Sequence, residues 1–265
     1  SPKMNDVAAH KNIELMTLAE VVSVSGEPGH FKVKIRKLPR YVDPTKCTGC
    51  GTCYEKCPGR AFDDWNMFGT RKAIYIPFPQ GVPRKYVIDP SACLYLTKGI
   101  CRVCEKVCPA KAINFEDKGE EVDIEVGAII VATGWEEFDP TPLTQYGYGK
   151  YKNVVTLLQF TRMFDVTGPT GGKVVRISDK RPANRILIIN CVGSRDERYV
   201  PYCSVVCCMA ALKNAQILKF EQNPNAEIYI CYIDMRAAGK GYEEYYKRAQ
   251  EMGINFIRGK VAEVY

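Results

Sequence analysis

The alternation of apolar and polar positions along the chain predicts a mixed α/β protein. Beyond residue 180, short apolar runs rich in β-branched residues alternate with longer stretches of helical periodicity. This rhythm is typical of parallel strands joined by crossover helices, as in one half of a Rossmann-type nucleotide-binding fold. We predict strands over 185–191, 226–233 and 254–258, and helices over 202–222 and 242–252.

A further apolar run lies near the middle of the chain, at residues 124–131. Its lack of a helical period predicts a buried parallel strand. The run ends in Ala132, Thr133 and Gly134, and small residues there would let the backbone pass close to a ligand. The combination resembles the second flavin-contact motif of flavoproteins with two dinucleotide domains, such as thioredoxin and glutathione reductases, although any tight turn after a strand could use the same tripeptide.

Glycine-containing turns elsewhere do not complete a nucleotide-binding motif. The turn after the strand at 185–191 reads Val-Gly-Ser-Arg-Asp and lacks the second glycine of G-x-G-x-x-G. Arg195 in this turn either replaces the usual pyrophosphate contact or blocks it. Residues 168–173 are one residue short of a P-loop and lack its Ser or Thr. They are predicted to form a turn after a helix capped by Thr156 and Gln159.

Composition narrows the class of protein. The chain has 265 residues, is 46% hydrophobic and 25% charged, and carries a net charge of +7, which is an ordinary globular balance. Its basic residues are dispersed among acidic ones, so no nucleic-acid partner is predicted. No run of ~18 apolar residues and no apolar core of a signal peptide occurs, so we predict no membrane span and a cytoplasmic location.

Cysteine content is the unusual feature of the sequence. Thirteen cysteines in a chain without a secretion signal indicate metal or redox chemistry and not a disulfide framework. Cys191 and Cys231 lie in apolar runs and are interpreted as buried small hydrophobes. Eight others form the motifs C-x2-C-x2-C-x3-C-P and C-x7-C-x2-C-x3-C-P, and these are Cys47, Cys50, Cys53, Cys57, Cys93, Cys101, Cys104 and Cys108.

The two motifs are typical of a ferredoxin-type module that binds two [4Fe–4S] clusters. Closely spaced cysteines can wrap around one cubane, and the fourth cysteine of each motif is predicted to start a helix that leads to the other cluster. One cluster is therefore assigned to Cys47, Cys50, Cys53 and Cys108. The other is assigned to Cys93, Cys101, Cys104 and Cys57.

An internal repeat supports this crossed assignment. Asp43-Pro44 and Asp89-Pro90 precede the first cysteine of their motifs by the same interval, and similar segments, 57–62 and 108–113, end the motifs. A pair of zinc knuckles is the alternative, but the spacing fits zinc poorly. The seven-residue gap after Cys93 is irregular. Either it bulges outward, which we favour, or a different ligand completes that cluster.

Longer strings of sequence resemble the A-subunit of heterodisulfide reductases over nearly the whole chain. They lie at 2–4, 31–36, 72–80, 127–134, 191–197 and 202–209. The resemblance implies a thioredoxin-reductase-like flavoprotein with a ferredoxin domain inserted before the Ala-Thr-Gly strand, working in soluble complexes of strict anaerobes such as methanogens. A sister group, the quinone-interacting oxidoreductase subunits of sulfate reducers, shares much of the pattern.

Several functional assignments follow from that resemblance. It implies an oxidoreductase subunit that binds FAD, with Val21 and residues 132–134 as contacts. The flavin would bifurcate electron pairs between ferredoxin and the CoM-S-S-CoB heterodisulfide of methanogenesis. Implied partners are the other subunits of the complex, a hydrogenase or formate dehydrogenase, ferredoxin, and a second copy of the chain in a homodimer.

The resemblance also bears on Cys203, Cys207 and Cys208, a C-x3-C-C group predicted at the start of a helix. Residues i and i+4 share a helix face, and a helix N-terminus stabilises anionic thiolates. In the family this motif looks like part of the ligand set of a third, unusual [4Fe–4S] cluster, with its remaining cysteine outside the group. A metal-free redox-active cysteine group is the alternative.

The predicted domain order combines these assignments. Residues 1–40 and 117–180 belong to an FAD-binding domain with its linker, 41–116 to the inserted ferredoxin domain, and 181–265 to a second, incomplete Rossmann-like domain. Similar strings near both ends of the chain favour two dinucleotide domains, and no G-x-G-x-x-G precedes residue 12, so an internal fragment is expected. It is interpreted as part of an FAD-containing enzyme or, alternatively, as a flavin-free electron wire.

Overall fold

A computed structural model describes residues 2–265. The chain divides into two compact units, one ending at Gly134 and the other running from Trp135 to Tyr265. The predicted segment 117–180 spans this division. Within residues 2–265, no helix is long and apolar enough to cross a membrane.

The first unit combines an antiparallel sheet with a cysteine-rich lobe. Its elements are α1 (Pro2–Ala9), β1 (Ala19–Glu27), β2 (His30–Lys37), α2 (Thr52–Lys56), β3 (Arg60–Phe62), β4 (Thr70–Lys72), β5 (Ile74–Tyr75), β6 (Val87–Ile88), α3 (Leu94–Lys98), α4 (Val103–Val107) and β7 (Glu120–Val126). The sheet has the order β1-β2-β7, and both pairs are antiparallel. The lobe, from α2 to α4, is therefore an insertion between two neighbouring strands of one sheet.

The buried parallel strand predicted at 124–131 is wrong. The observed strand is β7, which pairs antiparallel with β2. Polar and apolar residues alternate through β7, as suits an antiparallel strand with one exposed face. The Gly127 carbonyl accepts a hydrogen bond from the turn between β1 and β2, at 2.9 Å, and pairing ends there. Ile130 and Val131 then lie outside the sheet, with 92% and 79% of their surface exposed.

The lobe is built from two similar halves, in agreement with the sequence repeat. Asp43 and Asp89 each accept a hydrogen bond from the hydroxyl two residues later, at 2.6 Å in both cases. Their backbone carbonyls accept from the N–H groups of Cys47 and Cys93 respectively, at 3.0 Å. The two cysteine motifs therefore start from the same local turn.

The fourth cysteine of each motif follows the end of a short helix and does not start one. α2 and α4 are followed directly by Cys57 and Cys108, both in extended backbone conformations. The next residue in each case is proline, and proline disfavours the helical conformation of the residue before it. The helix predicted to start at the fourth cysteine is therefore wrong for this physical reason.

The irregular gap after Cys93 folds as α3, a short helix over Leu94–Lys98. Gly99 ends it with a φ of +68°, a left-handed conformation that glycine adopts without steric cost. Because the extra residues coil up locally, Cys93 stays in the core of the lobe, where it is buried.

The second unit is built on a three-stranded parallel sheet. Its elements are α5 (Leu157–Met163), β8 (Arg185–Ile189), α6 (Cys207–Ile217), β9 (Glu227–Tyr232), α7 (Tyr242–Glu251) and β10 (Asn255–Arg258). The strand order is β10-β9-β8, and the fully buried Ile228 and Ile230 lie on the central strand. The predicted order of strands and helices beyond residue 180 is confirmed, with ends that differ by a few residues.

The capping box predicted for the helix before residue 168 is confirmed. The Thr156 hydroxyl accepts from the Gln159 N–H at 3.1 Å, and the Gln159 side chain accepts from the Thr156 N–H at 2.8 Å. Both groups satisfy N–H donors that have no partner inside the helix. α5 therefore starts where the sequence predicts.

The start of α6 differs from the prediction. The helix begins at Cys207 and not at residue 202. Val205 has a φ of +59°, and a left-handed residue interrupts a right-handed helix. Cys203 therefore lies in the preceding loop, and the prediction that Cys203 and Cys207 share a helix face is wrong.

Candidate iron–sulfur and flavin sites

Four cysteines line one cavity of the lobe. They are Cys47, Cys50 and Cys53 of the first motif and Cys108 of the second. Apolar groups, among them Tyr86 and Ala112, complete the wall. Since α2 carries Cys53 and the end of α4 positions Cys108, the two halves of the repeat meet at this cavity.

A thiolate at Cys53 is unfavourable in this cavity. Burial raises the pKa of Cys53 to about 12, and the other three thiols contribute in the same direction. Like charges oppose one another's ionisation, so four thiolates can be held together only with compensating positive charge. Iron ions supply such charge, and a coordinated thiol loses its proton outright. The residues therefore fit an iron–sulfur cluster.

The cysteines of the second motif lie close to those of the first. Burial raises the pKa of Cys104 to about 12, and the charges of Cys93, Cys57 and Cys53 raise it further. Cys101 lies just before α4 in a left-handed conformation, with φ of +76°. Cys108 thus lines the cavity of the first motif, and Cys57 and Cys53 of the first motif both act on Cys104 of the second. In the part of the chain that the structure describes, no three histidine, cysteine or acidic side chains are gathered to bind a single metal ion.

Two lysines place positive charge on the cysteine loops. The Lys85 ammonium donates to the Cys47 carbonyl, and the Lys72 ammonium donates to the Cys57 carbonyl at 2.7 Å. Each of the two cysteine sets therefore has one lysine hydrogen-bonded to its backbone. Net charge around a cluster is one of the factors that set its reduction potential.

A further cysteine group lies in the second unit, between β8 and α6. A hydrogen bond with Cys208 lowers the pKa of Cys207 to about 5, and the Cys191 backbone N–H acts in the same direction. Burial raises the pKa of Cys191, and the charges of Cys207 and Cys203 raise it further. The Val205 N–H donates to the Cys203 sulfur at 3.3 Å. The structure thus brings Cys191 together with the three predicted cysteines.

Sequence reasoning missed the placement of Cys191. The residue is buried, as predicted, but it follows β8 closely in a left-handed conformation, with φ of +61°. Such conformations are uncommon for residues other than glycine and cluster at functional sites. Its position after a parallel strand, where ligands bind in α/β sheets, was the one available signal. Cys231 differs, because it lies on β9 and burial alone raises its pKa.

The turn after β8 is filled by protein groups. The Phe138 ring packs on Gly193 so closely that a Cβ atom there would lie 2.3 Å from it. The Gly193 carbonyl accepts from the Val200 N–H at 3.0 Å, and the Arg195 N–H donates to the Tyr202 carbonyl at 3.2 Å. These contacts occupy the place where a pyrophosphate would approach the backbone in a dinucleotide-binding turn.

The residues predicted to contact FAD lie at the surface of the first unit. Val21 is on β1 and is exposed. Ala132, Thr133 and Gly134 form an exposed, irregular segment after β7. Gly134 has a φ of +80°, and a Cβ atom there would meet no atom within 4 Å. The small residues and open backbone fit the approach of a flat cofactor ring.

The paired cysteine motifs, the shared cavity and the internal repeat define a class of protein, an iron–sulfur protein with a ferredoxin-type lobe. The sequence profile of the 4Fe-4S dicluster domain family matches residues 46–112. The predicted ferredoxin-type domain is therefore confirmed.

Beyond the lobe, the whole chain is homologous to the A-subunit of heterodisulfide reductases, which confirms the resemblance. It is 51% identical, over 99% of its length, to the iron-sulfur A-subunit of the CoB--CoM heterodisulfide reductase of Methanocaldococcus jannaschii. Over 100% of its length, it is 52% identical to the A-subunit of the H(2)/formate:CoB-CoM heterodisulfide,ferredoxin reductase of Methanococcus maripaludis. Over the same length, it is 48% identical to the A-subunit of the Ferredoxin/F(420)H(2)-dependent CoB-CoM heterodisulfide reductase of Methanosarcina acetivorans. The chain spans 39%, 40% and 33% of these three relatives.

Proposed function

We propose that this chain is the part of a heterodisulfide-reductase-type subunit that transfers single electrons between a bound FAD and iron–sulfur clusters. The observation that carries the proposal is the cavity lined by Cys47, Cys50, Cys53 and Cys108, which joins cysteines of both motifs. The other four cysteines of the lobe are then left as a second set, as two [4Fe–4S] clusters require. The names of the relatives pair a CoB-CoM heterodisulfide with ferredoxin, which favours these as the redox partners.

The proposed ligand sets of the lobe follow from that cavity. One cluster is held by Cys47, Cys50, Cys53 and Cys108. The other is held by Cys93, Cys101, Cys104 and Cys57. When bound, a [4Fe–4S] cluster takes up or releases one electron at a time. The protein's own contribution is to bury the thiolates away from water and to hold them by backbone turns that are the same in both halves.

A third cluster is proposed in the second unit, with Cys203, Cys207 and Cys208 as ligands and Cys191 as the fourth. The mutual electrostatic effects among the four cysteines support this set. The alternative of a metal-free thiol pair at Cys207 and Cys208 is disfavoured, because neighbouring cysteines close only a strained disulfide ring. The left-handed Cys191 and Val205 bring backbone N–H groups to the sulfur atoms, as in anion-binding nests.

FAD is proposed to bind at residues 132–134 of a thioredoxin-reductase-like domain. The second unit is proposed to be a Rossmann-type half, on the strength of its parallel β8-α6-β9-α7-β10 order. Because Phe138 fills its phosphate turn, we propose no nicotinamide there. Electrons would then enter from another subunit, and the names of relatives that include H(2) or formate favour a hydrogenase or formate dehydrogenase. The flavin would bifurcate them between ferredoxin and the heterodisulfide.

The proposal can be tested on the full-length protein purified without oxygen in its complex. We expect stoichiometric FAD and coupled reduction of ferredoxin and heterodisulfide when the electron donor is supplied. Replacing Cys50 by serine should abolish the coupled reaction, whereas Cys231→Ser, a change of a buried cysteine outside the ligand sets, should leave it intact. Clusters without flavin would instead identify an electron wire. Activity that survives Cys50→Ser would contradict the role of the lobe.

A further inference from the structure

Arg195 lies in the loop between β8 and α6, next to the cysteine group of the second unit. One end of its guanidinium is held, because Nη2 donates to Oδ2 of Asp234 at 2.9 Å. The other nitrogen, Nη1, is buried and has no hydrogen-bond partner among residues 2–265. A buried N–H without an acceptor is unfavourable and rare in native proteins. This donor therefore indicates an acceptor that the polypeptide does not provide.

Asp234 connects Arg195 to the cysteine group. It follows β9, and its carboxylate also accepts from Nη2 of Arg258 at 3.2 Å. Its backbone carbonyl accepts from the Cys208 sulfur at 3.8 Å. The same residue thus contacts both the arginine and one cysteine of the group, so Arg195 and the cysteine group are held together at one end of the sheet.

The positive charge of Arg195 interacts with the cysteines. Its pKa is raised first by the hydrogen bond to Asp234 and then by negative charge that includes Cys191 and Cys203. Its own backbone is left-handed, with φ of +59°, a conformation that costs free energy in a residue with a long side chain. Arg198, three positions later, differs: its side chain is 75% exposed and pairs with Asp196.

We propose that Nη1 of Arg195 donates a hydrogen bond to a sulfur atom of the cluster held by this cysteine group and thereby raises its reduction potential. The inference rests on the proposed third cluster. An added electron makes the cluster more negative, and a nearby guanidinium stabilises that state. The planar guanidinium suits the task because one nitrogen can bind Asp234 while the other faces the cluster. Arg195 is therefore a residue that tunes the cluster and is not itself a ligand.

The test compares Arg195→Met and Arg195→Lys with the matched control Arg198→Met in the full-length protein. The signal of the third cluster is first identified by electron paramagnetic resonance, as the one lost when Cys203, Cys207 and Cys208 are replaced by alanine. We expect Arg195→Met to move its midpoint potential to more negative values, with iron content retained. Arg195→Lys should give a smaller shift in the same direction. Arg198→Met should give none, and the two ferredoxin-type clusters should not shift in any variant.

The outcomes separate this inference from the proposed function. If the triple alanine variant keeps all its iron, the third cluster itself is wrong. If that variant loses iron but both Arg195 variants keep the wild-type potential, only the hydrogen bond is wrong. If Arg195→Met loses the cluster, the midpoint potential of Arg195→Lys tests the hydrogen bond instead. A wild-type potential in Arg195→Lys would then show that the hydrogen bond is wrong. Loss of nicotinamide dinucleotide binding in Arg195→Met without a shift in potential would identify Arg195 as a phosphate contact and overturn the inference.

Discussion

Cys57 and Cys108 distinguish the crossed arrangement of the clusters from a sequential one. Because Cys108 lines the cavity of the first motif, Cys57→Ser should damage the cluster at Cys93, Cys101 and Cys104 and spare the other. Cys108→Ser should have the reciprocal effect. Electron paramagnetic resonance of the two variants, recorded with the reduced protein, provides the measurement. If Cys57→Ser changed the first-motif cluster alone, the crossed assignment would be wrong.

Gly134 tests the flavin site. A bulky residue there would place a side chain where the backbone must approach the cofactor, so we expect Gly134→Leu to lose FAD almost completely. Gly149→Leu is the matched control, since Gly149 has nearly the same φ, +79° against +80°, and equally open surroundings. Both variants carry the same backbone strain, and only the first should lose flavin. Equal FAD content in both would contradict the site.

Among the helices, α5 allows a test of how strongly a local capping motif stabilises the start of a helix. Thr156→Ala removes the hydroxyl that accepts from the Gln159 N–H, and loss of such a cap costs about 1 kcal/mol. Hydrogen exchange of the α5 amides should accelerate accordingly. Thr156→Ser keeps the hydroxyl and should exchange like the wild type. Unchanged protection in Thr156→Ala would show that tertiary packing alone holds the start of the helix.

A comparison of the starts of α5 and α6 explains which elements can be predicted from sequence. The start of α5 depends on two residues within one turn, so the pattern predicts it correctly. The start of α6 depends on the left-handed backbone of Val205, which no residue preference indicates for a β-branched side chain. β7 was predicted too late in the chain and as a parallel strand. Its antiparallel pairing with β2 joins residues about 90 positions apart across the lobe.

For the whole molecule, iron content tests the third cluster. If Cys203, Cys207 and Cys208 are ligands, the triple replacement by alanine should lower the iron content of the full-length protein by about four atoms. Cys191→Ala should have the same effect, because the structure places Cys191 in this group. The flavin and the ferredoxin-type clusters should remain. Unchanged iron content would indicate a thiol redox site instead.

The sequence by itself determined the chemistry of the lobe and the order of elements in the second unit. Cysteine spacing within a motif acts over a few residues, and local backbone geometry links it directly to cluster binding. The crossed pairing of Cys57 and Cys108 was predicted from the motifs and their repeat. The approach of Cys191 to Cys207 and the burial of the Arg195 donor were decided only by the tertiary structure. Each brings together residues from different elements, and their meeting depends on packing that no local pattern encodes. The buried donor of Arg195 shows this most directly, since it is recognisable only once the polypeptide around it is known to offer no acceptor.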